Sequence, residues 1–166
     1  MTTMTPIEIM SDVIARNAEI LKMTLADFSQ AEMLARPVPG ANHAAWQLGH
    51  LIGSAAYMLR EVAPGVIPQA AAAMREKFNG KTAGNDDPSF YPDKSQLLET
   101  FAQCCDAIVA WTKNLRPEEM GEPTPGRMAE FAPTLGHLAL MTASHITMHV
   151  GQMQVIRRKL GKPLLF

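Results

Sequence analysis

Two histidines four residues apart carry the clearest chemistry in this chain: His145 and His149 in Ser144-His145-Ile146-Thr147-Met148-His149-Val150-Gly151-Gln152. On a helix they lie about 40° apart around the axis and about 6 Å apart along it. Both imidazoles can therefore turn toward one point in space, as a metal ion requires. A third, His50, falls in the middle of an earlier helical pattern. If that helix faces the pair, three imidazole nitrogens form a metal site that keeps a position for water or substrate.

The pair sits on the apolar stripe Leu138, Met141, His145, His149, Ile156. Imidazoles turned into a core without partners carry a desolvation cost, which shared ligation of a cation relieves. His50 on its own reads more simply as a core histidine, and its depth along the helix is what joins it to the pair. His43 reads as a helix-end residue. His137 lies about 80° around and about 12 Å from His145, too far to share one ion with both. Gln152, one turn past His149, is a candidate to orient a ligand or a bound water; an ordinary interhelix hydrogen bond explains it equally well. Gly151 weakens a helix by about 1 kcal/mol relative to alanine, so close approach of a neighbouring helix or ligand is expected there. Trp46, Tyr57 and Trp111 read as core.

The elements that must position these residues are helices. The first opens on a capping box, Thr5-Pro6-Ile7-Glu8, with proline at the first helical position. Its stripe is Ile7, Met10, Ile14, Leu21, Leu25, Phe28. The second starts near Asn42 as N-cap and runs through His50 to about Glu61, where Pro64 and Gly65 stop it. A long connection follows to Pro92, with a short helical stretch about Gln69 to Phe78 and then a turn-rich run of the kind that forms lids and binding loops. The third helix begins near Asp93, with Gln96 placed to complete a box, and its stripe runs Leu97, Phe101, Cys104, Ile108, Trp111, Leu115. After a loop from Arg116 to Pro133, the fourth runs from about Thr134 to Leu160, with Gly161 as its C-cap. Strand-like alternation is absent. The pattern predicts an all-α four-helix bundle with long connections between helices 2 and 3 and between helices 3 and 4.

The 166 residues are expected to form one domain, 1–166, large enough to bury a core. Fifteen basic and sixteen acidic residues leave a net charge of -1 with no basic stripe, which argues against nucleic acid as a partner. Arg157, Arg158 and Lys159 fall at a helix C-terminus, where cations complement the dipole. Cys104 and Cys105 are adjacent and diverge by about 100° on a helix, so no disulfide is expected and a reducing, cytoplasmic location is. No secretory signal is evident near Met1 to Met10, and Leu135 to Val150 is too short and too polar to span a membrane.

Trp46-Gln47-Leu48-Gly49-His50-Leu51, His145-x-x-x-His149-x-Gly151-Gln152 and the closing Arg157-Arg158-Lys159-Leu160-Gly161-Lys162-Pro163 together resemble the DinB/YfiT-like family of metal-dependent hydrolases and thiol transferases. The resemblance implies a four-helix bundle, a divalent metal on His50, His145 and His149, and a homodimer. Members with known chemistry use a low-molecular-weight thiol as co-substrate, in bacillithiol or mycothiol transfer and in isomerisation. Ser54 stands where some relatives carry an acidic residue, so no general base can be named. Imidazole suits several metals, with zinc or nickel the first expectations. The leading expectation is a divalent-metal-dependent enzyme acting on a small-molecule substrate, a hydrolase or a thiol transferase. The alternative is a non-catalytic, stress-related metal- or ligand-binding bundle.

Overall fold

The computed structural model describes residues 3–165. Its helices are α1 (Pro6–Leu25), α2 (Ala44–Leu59), α3 (Gln69–Lys77), α4 (Lys94–Asn114) and α5 (Leu135–Lys159), and the described residues contain no strand. Four long helices close a ring in which α1 packs on α4 and α5, and α2 packs on the same two. The nine-residue α3 lies against the outer side of α2. Thus α2 is covered on both sides, and twelve of its sixteen residues are buried. A helix apolar nearly all round is what such a position demands.

The caps explain most boundaries. Thr5 and Glu8 form the anticipated box, Thr5 Oγ1 accepting from the Glu8 amide at 3.2 Å while the Glu8 carboxylate accepts from the Thr5 amide at 2.7 Å. At the far end of α5, Gly161 takes φ +68°, and the amides of Gly161 and Lys162 donate to the carbonyls of Arg158 and Arg157. That is a Schellman termination, which glycine permits because no Cβ opposes the left-handed backbone.

Several expectations shift. The cap of α2 is His43 rather than Asn42, its Nδ1 accepting from the Trp46 amide at 3.1 Å. Asp93 precedes α4 but makes no side-chain cap; the Lys94 amide instead donates to Gln30 Oε1 at 2.7 Å. Phe28 is buried but lies beyond the end of α1. Arg157 does more than answer the helix dipole. It is 1% exposed, and its guanidinium donates to the Thr24 and Pro163 carbonyls and pairs with Asp27. The close approach expected at Gly151 is absent, since a Cβ there would meet nothing within 4 Å.

Close approach occurs on α2 instead. A Cβ on Gly53 would lie 2.6 Å from the Arg75 backbone, and one on Gly49 would lie 2.3 Å from the Phe78 ring. These two glycines, one helical turn apart, let α3 and the residue after it pack directly on α2. The connection beyond α3, read from sequence as a lid or binding loop, is held by side-chain hydrogen bonds. Arg36 donates to the carbonyls of Ala41, Ala83 and Asn85 and pairs with Asp86, while Tyr91 Oη donates to the Asn85 carbonyl at 2.8 Å.

Candidate metal centre

His50 projects from the middle of α2, and His145 and His149 from adjacent turns of α5. The crossing of these helices brings one ring nitrogen from each within 4.8 Å of the others. His145 Nε2 and His149 Nε2 are 3.2 Å apart. Two imidazoles on one tetrahedral zinc, with bonds of about 2.0–2.1 Å, hold their nitrogens about 3.3 Å apart, so the pair already stands at ligand spacing. The rings of His50 and His145 are edge to face at 5.2 Å between centroids, with His149 5.4 Å from His50.

The surroundings fix which nitrogens are offered. Gln47, buried on α2, donates its amide to the Asn42 carbonyl at 2.8 Å, which leaves its oxygen facing His149 Nδ1 at 2.9 Å. An acceptor there requires Nδ1 to carry the proton, so the lone pair of His149 is on Nε2 and points at His145. Trp46 stacks on His50 at 5.0 Å with planes 7° apart, and its indole donates to Thr82 Oγ1 at 3.3 Å. The pinned connection thereby steadies the His50 ring. Ser54 Oγ lies 3.5 Å from His50 Nε2.

Burial, reinforced by the neighbouring imidazoles, lowers the pKa of His145 to about 4 and of His149 to about 3. Burial lowers that of His50 as well, against a hydrogen bond to the Phe78 backbone, while the charge of Arg75 adds to the lowering. All three rings are therefore neutral near pH 7, the form that ligates metal. The donor set is three neutral imidazoles without a carboxylate among the described residues, which would leave the full charge of a divalent ion to act on whatever else it bound. The residues present fit such an ion.

Gln152, a candidate to orient a ligand or a bound water or to make an ordinary interhelix hydrogen bond, is exposed and hydrogen-bonds His149. Its hydrogen bond to His149 is the smallest of the influences on that ring, and the partner of Nδ1 is Gln47. The sequence signal for Gln47 was its place three residues before His50, one turn down the same face. His43 and His137 stay outside the trio: His43 caps α2, and His137 Nδ1 contacts Thr134 Oγ1 at the exposed start of α5. Cys104 and Cys105 are buried, and desolvation pushes the Cys104 thiol up to about 12 and the Cys105 thiol higher still, so neither is a ready nucleophile.

Two cavities meet at the centre. One, about 650 Å³, is apolar and lined by Tyr57, Met58, Met128, Phe131, Met141 and Met148 together with His50, Ser54 and His145. Met128 and Phe131 come from the segment between α4 and α5, and Tyr57, read from sequence as core, forms part of the wall. The other, about 500 Å³, lies toward α3 and is lined by Trp46, His50, Ser54, Arg75 and Glu76 among others.

The sequence model of the DinB superfamily matches residues 14–153, a span containing all three histidines. The chain belongs to the DinB superfamily. A crystal structure of a conserved protein from Enterococcus faecalis superposes with a TM-score of 0.73 over 96% of this chain and 100% of that one, at 18% identity. At that identity the likeness shows the fold alone. No curated protein matches the sequence. No helix among the described residues is long and apolar enough to cross a membrane.

Proposed function

We propose that this DinB-superfamily chain is a divalent-metal-dependent enzyme, of hydrolase or low-molecular-weight-thiol transferase type, with His50, His145 and His149 as the metal ligands. The observation that carries the reading is the convergence of three neutral imidazole nitrogens, within 4.8 Å of one another, beside two cavities. When bound, a divalent ion, zinc or nickel by ligand type, would supply Lewis acidity and lower the pKa of a coordinated water or thiol.

The chain's own residues prepare that chemistry. Gln47 holds the His149 tautomer, Trp46 holds the plane of His50, and burial keeps all three rings deprotonated at neutral pH. Ser54 sits at the junction of the cavities and can hold the small-molecule substrate or its proton by hydrogen bonding. Gln152 remains a candidate for a contact at the exposed side. The apolar cavity suits a substrate with a hydrophobic body, and its methionines adapt to irregular shapes.

Elemental analysis of protein purified without a polyhistidine tag tests the metal, with about one equivalent expected. A screen of hydrolytic and thiol-transfer reactions with common cellular thiols tests the chemistry. Metal at stoichiometry with no turnover in that screen would favour the second reading, a non-catalytic, stress-related metal- or ligand-binding bundle. Among the described residues no carboxylate joins the three imidazoles as a ligand, which is compatible with that alternative as well. A homodimer in the cytoplasm belongs to the same proposal. Ile9 and Val13 on α1 and Leu140 and Val155 on α5 expose apolar side chains on two helices that pack together, and sedimentation analysis would measure the association.

A further inference from the structure

We propose that the cavity on the α3 side of His50 is a carboxylate subsite anchored by Arg75, so that the ligand taken at this centre is a small monocarboxylic acid with an apolar body. The proposal rests on the reading of the histidine trio as the reacting centre.

Arg75 is set apart from the other guanidinium beside it. Its Cζ lies 3.4 Å from the centre of the Tyr57 ring, and Arg60 lies 4.2 Å from the same ring. Arg60 is ion-paired with Glu61. The Arg75 side chain makes no hydrogen bond or ion pair with any described residue; it is exposed and lines the cavity. Its backbone is not free to drift, because α3 is seated at van der Waals limit on Gly53. That contact sets the Arg75 backbone against Gly53, about one turn along α2 from His50 and next to Ser54 in the chain, and His50, Ser54 and Arg75 line the same cavity. Its charge reaches the His50 ring and disfavours the imidazolium there.

The rest of the wall narrows the ligand class. The Asn79 amide is already engaged, donating to the Glu76 carbonyl and accepting from the Lys81 amide. Arg75 is therefore the strong donor on offer, a planar fork matched to a carboxylate. Glu76 lines the same cavity and has no side-chain partner among the described residues; its charge opposes any anion, and a dianion such as a phosphate monoester more strongly than a monocarboxylate. Tyr57 carries Arg75 on its ring and is also a wall of the apolar cavity. The two cavities share His50 and Ser54. One molecule can thus rest its carboxylate on Arg75 and its apolar body among the methionines, crossing the histidine trio between them.

The test is a calorimetric titration of the full chain, zinc-loaded and metal-free, at mildly alkaline pH. The probes are phenylacetate, its neutral twin phenylacetamide and its dianionic twin benzylphosphonate, with Arg75→Gln and Arg75→Lys alongside the wild type. Phenylacetate should bind more tightly than either twin. Arg75→Gln should weaken phenylacetate by about tenfold or more, in line with loss of a charge-assisted hydrogen bond, and leave phenylacetamide unchanged. Arg75→Lys should retain part of the difference. Arg75 is exposed and its side chain contacts the rest of the chain through the Tyr57 ring, so both variants should still unfold cooperatively, with a midpoint lowered by no more than loss of one exposed cation-π contact allows. Equal phenylacetate affinity in wild type and Arg75→Gln, or no phenylacetate binding at all, overturns the subsite. If binding instead vanishes on metal removal while ignoring Arg75, the carboxylate sits on the metal: the subsite is overturned and the metal reading stands. Arg75-dependent binding in a protein that takes up no metal upholds the subsite and removes the proposed metal function.

Discussion

His43 and His149 are both deeply buried, at 0% and 3% exposure, and burial lowers the pKa of both, yet their lone pairs go to different places. At the N-terminus of α2, His43 Nδ1 accepts from the Trp46 amide and Nε2 donates to the Asn85 carbonyl at 3.2 Å. Each nitrogen has one partner from the backbone, and nothing remains to offer a ligand. In the middle of the bundle, His149 donates its Nδ1–H to Gln47 Oε1, and the lone pair on its Nε2 faces His145, whose Nε2 is 3.2 Å away. Burial by itself therefore does not separate a structural histidine from a candidate ligand. The tautomer does, and the tautomer is set by whichever group holds the other nitrogen.

The largest contrast should come from removing each ring. His149→Ala is expected to abolish stoichiometric metal, read by elemental analysis of untagged protein, whereas His43→Ala should keep it; full metal in the first variant would remove His149 from the ligand set. Releasing the tautomer rather than the ring should have a graded effect. Gln47→Ala is expected to weaken metal affinity by about 10–100-fold, measured by competition with a chromophoric chelator, and an unchanged affinity would show that Gln47 merely packs.

For His43 the effect belongs to folding. His43→Ala loses the α2 cap and strands the Asn85 contact, a destabilisation of about 2 kcal/mol in urea titrations. Acid should separate the regions further. In metal-free protein the folded-state pKa values of about 4 and about 3 at His145 and His149 lie below the ordinary 6.5. Between those values the unfolded chain binds more protons, so this contribution is complete above about pH 6.5, declines as pH falls below it, and is fully lost once pH has passed about 4 for His145 and about 3 for His149. Asp27, its carboxyl held low by Arg157, contributes in a different window, with stability lost only as pH drops below about 3.8. Replacing His149 with glutamine should flatten the urea midpoint between pH 6 and 4, and an unaltered slope would place the acid sensitivity elsewhere. The smallest effect is expected at Gly151, where alanine meets open space and should stabilise α5 by up to about 1 kcal/mol.

Helix placement was largely legible because the signals are local. Thr5, Thr134 and Gly161 end their helices as their types predict, each by satisfying backbone groups within a few residues. The α2 start was misplaced by one residue, because histidine is an uncommon cap and Asn42 is a favoured one. Gly49 and Gly53 were the missed signal. Their four-residue spacing marks a face that a second helix can approach closely, and that face holds α3. Gly151 looked similar in sequence and faces open space, because one glycine in a helix does not reveal whether anything lies opposite.

The sequence alone determined that His145 and His149 share a helix face, since the α-helical period is a property of the backbone and acts over four residues. It also determined that the chain folds as amphipathic helices without a strand-forming stretch. That His50 meets the pair, that Gln47 holds the His149 tautomer, and that Arg75 lines a cavity with His50 were decided by tertiary structure. Each depends on the crossing of α2 with α5 or with α3, set by packing between residues far apart in the chain, for which local periodicity carries no information.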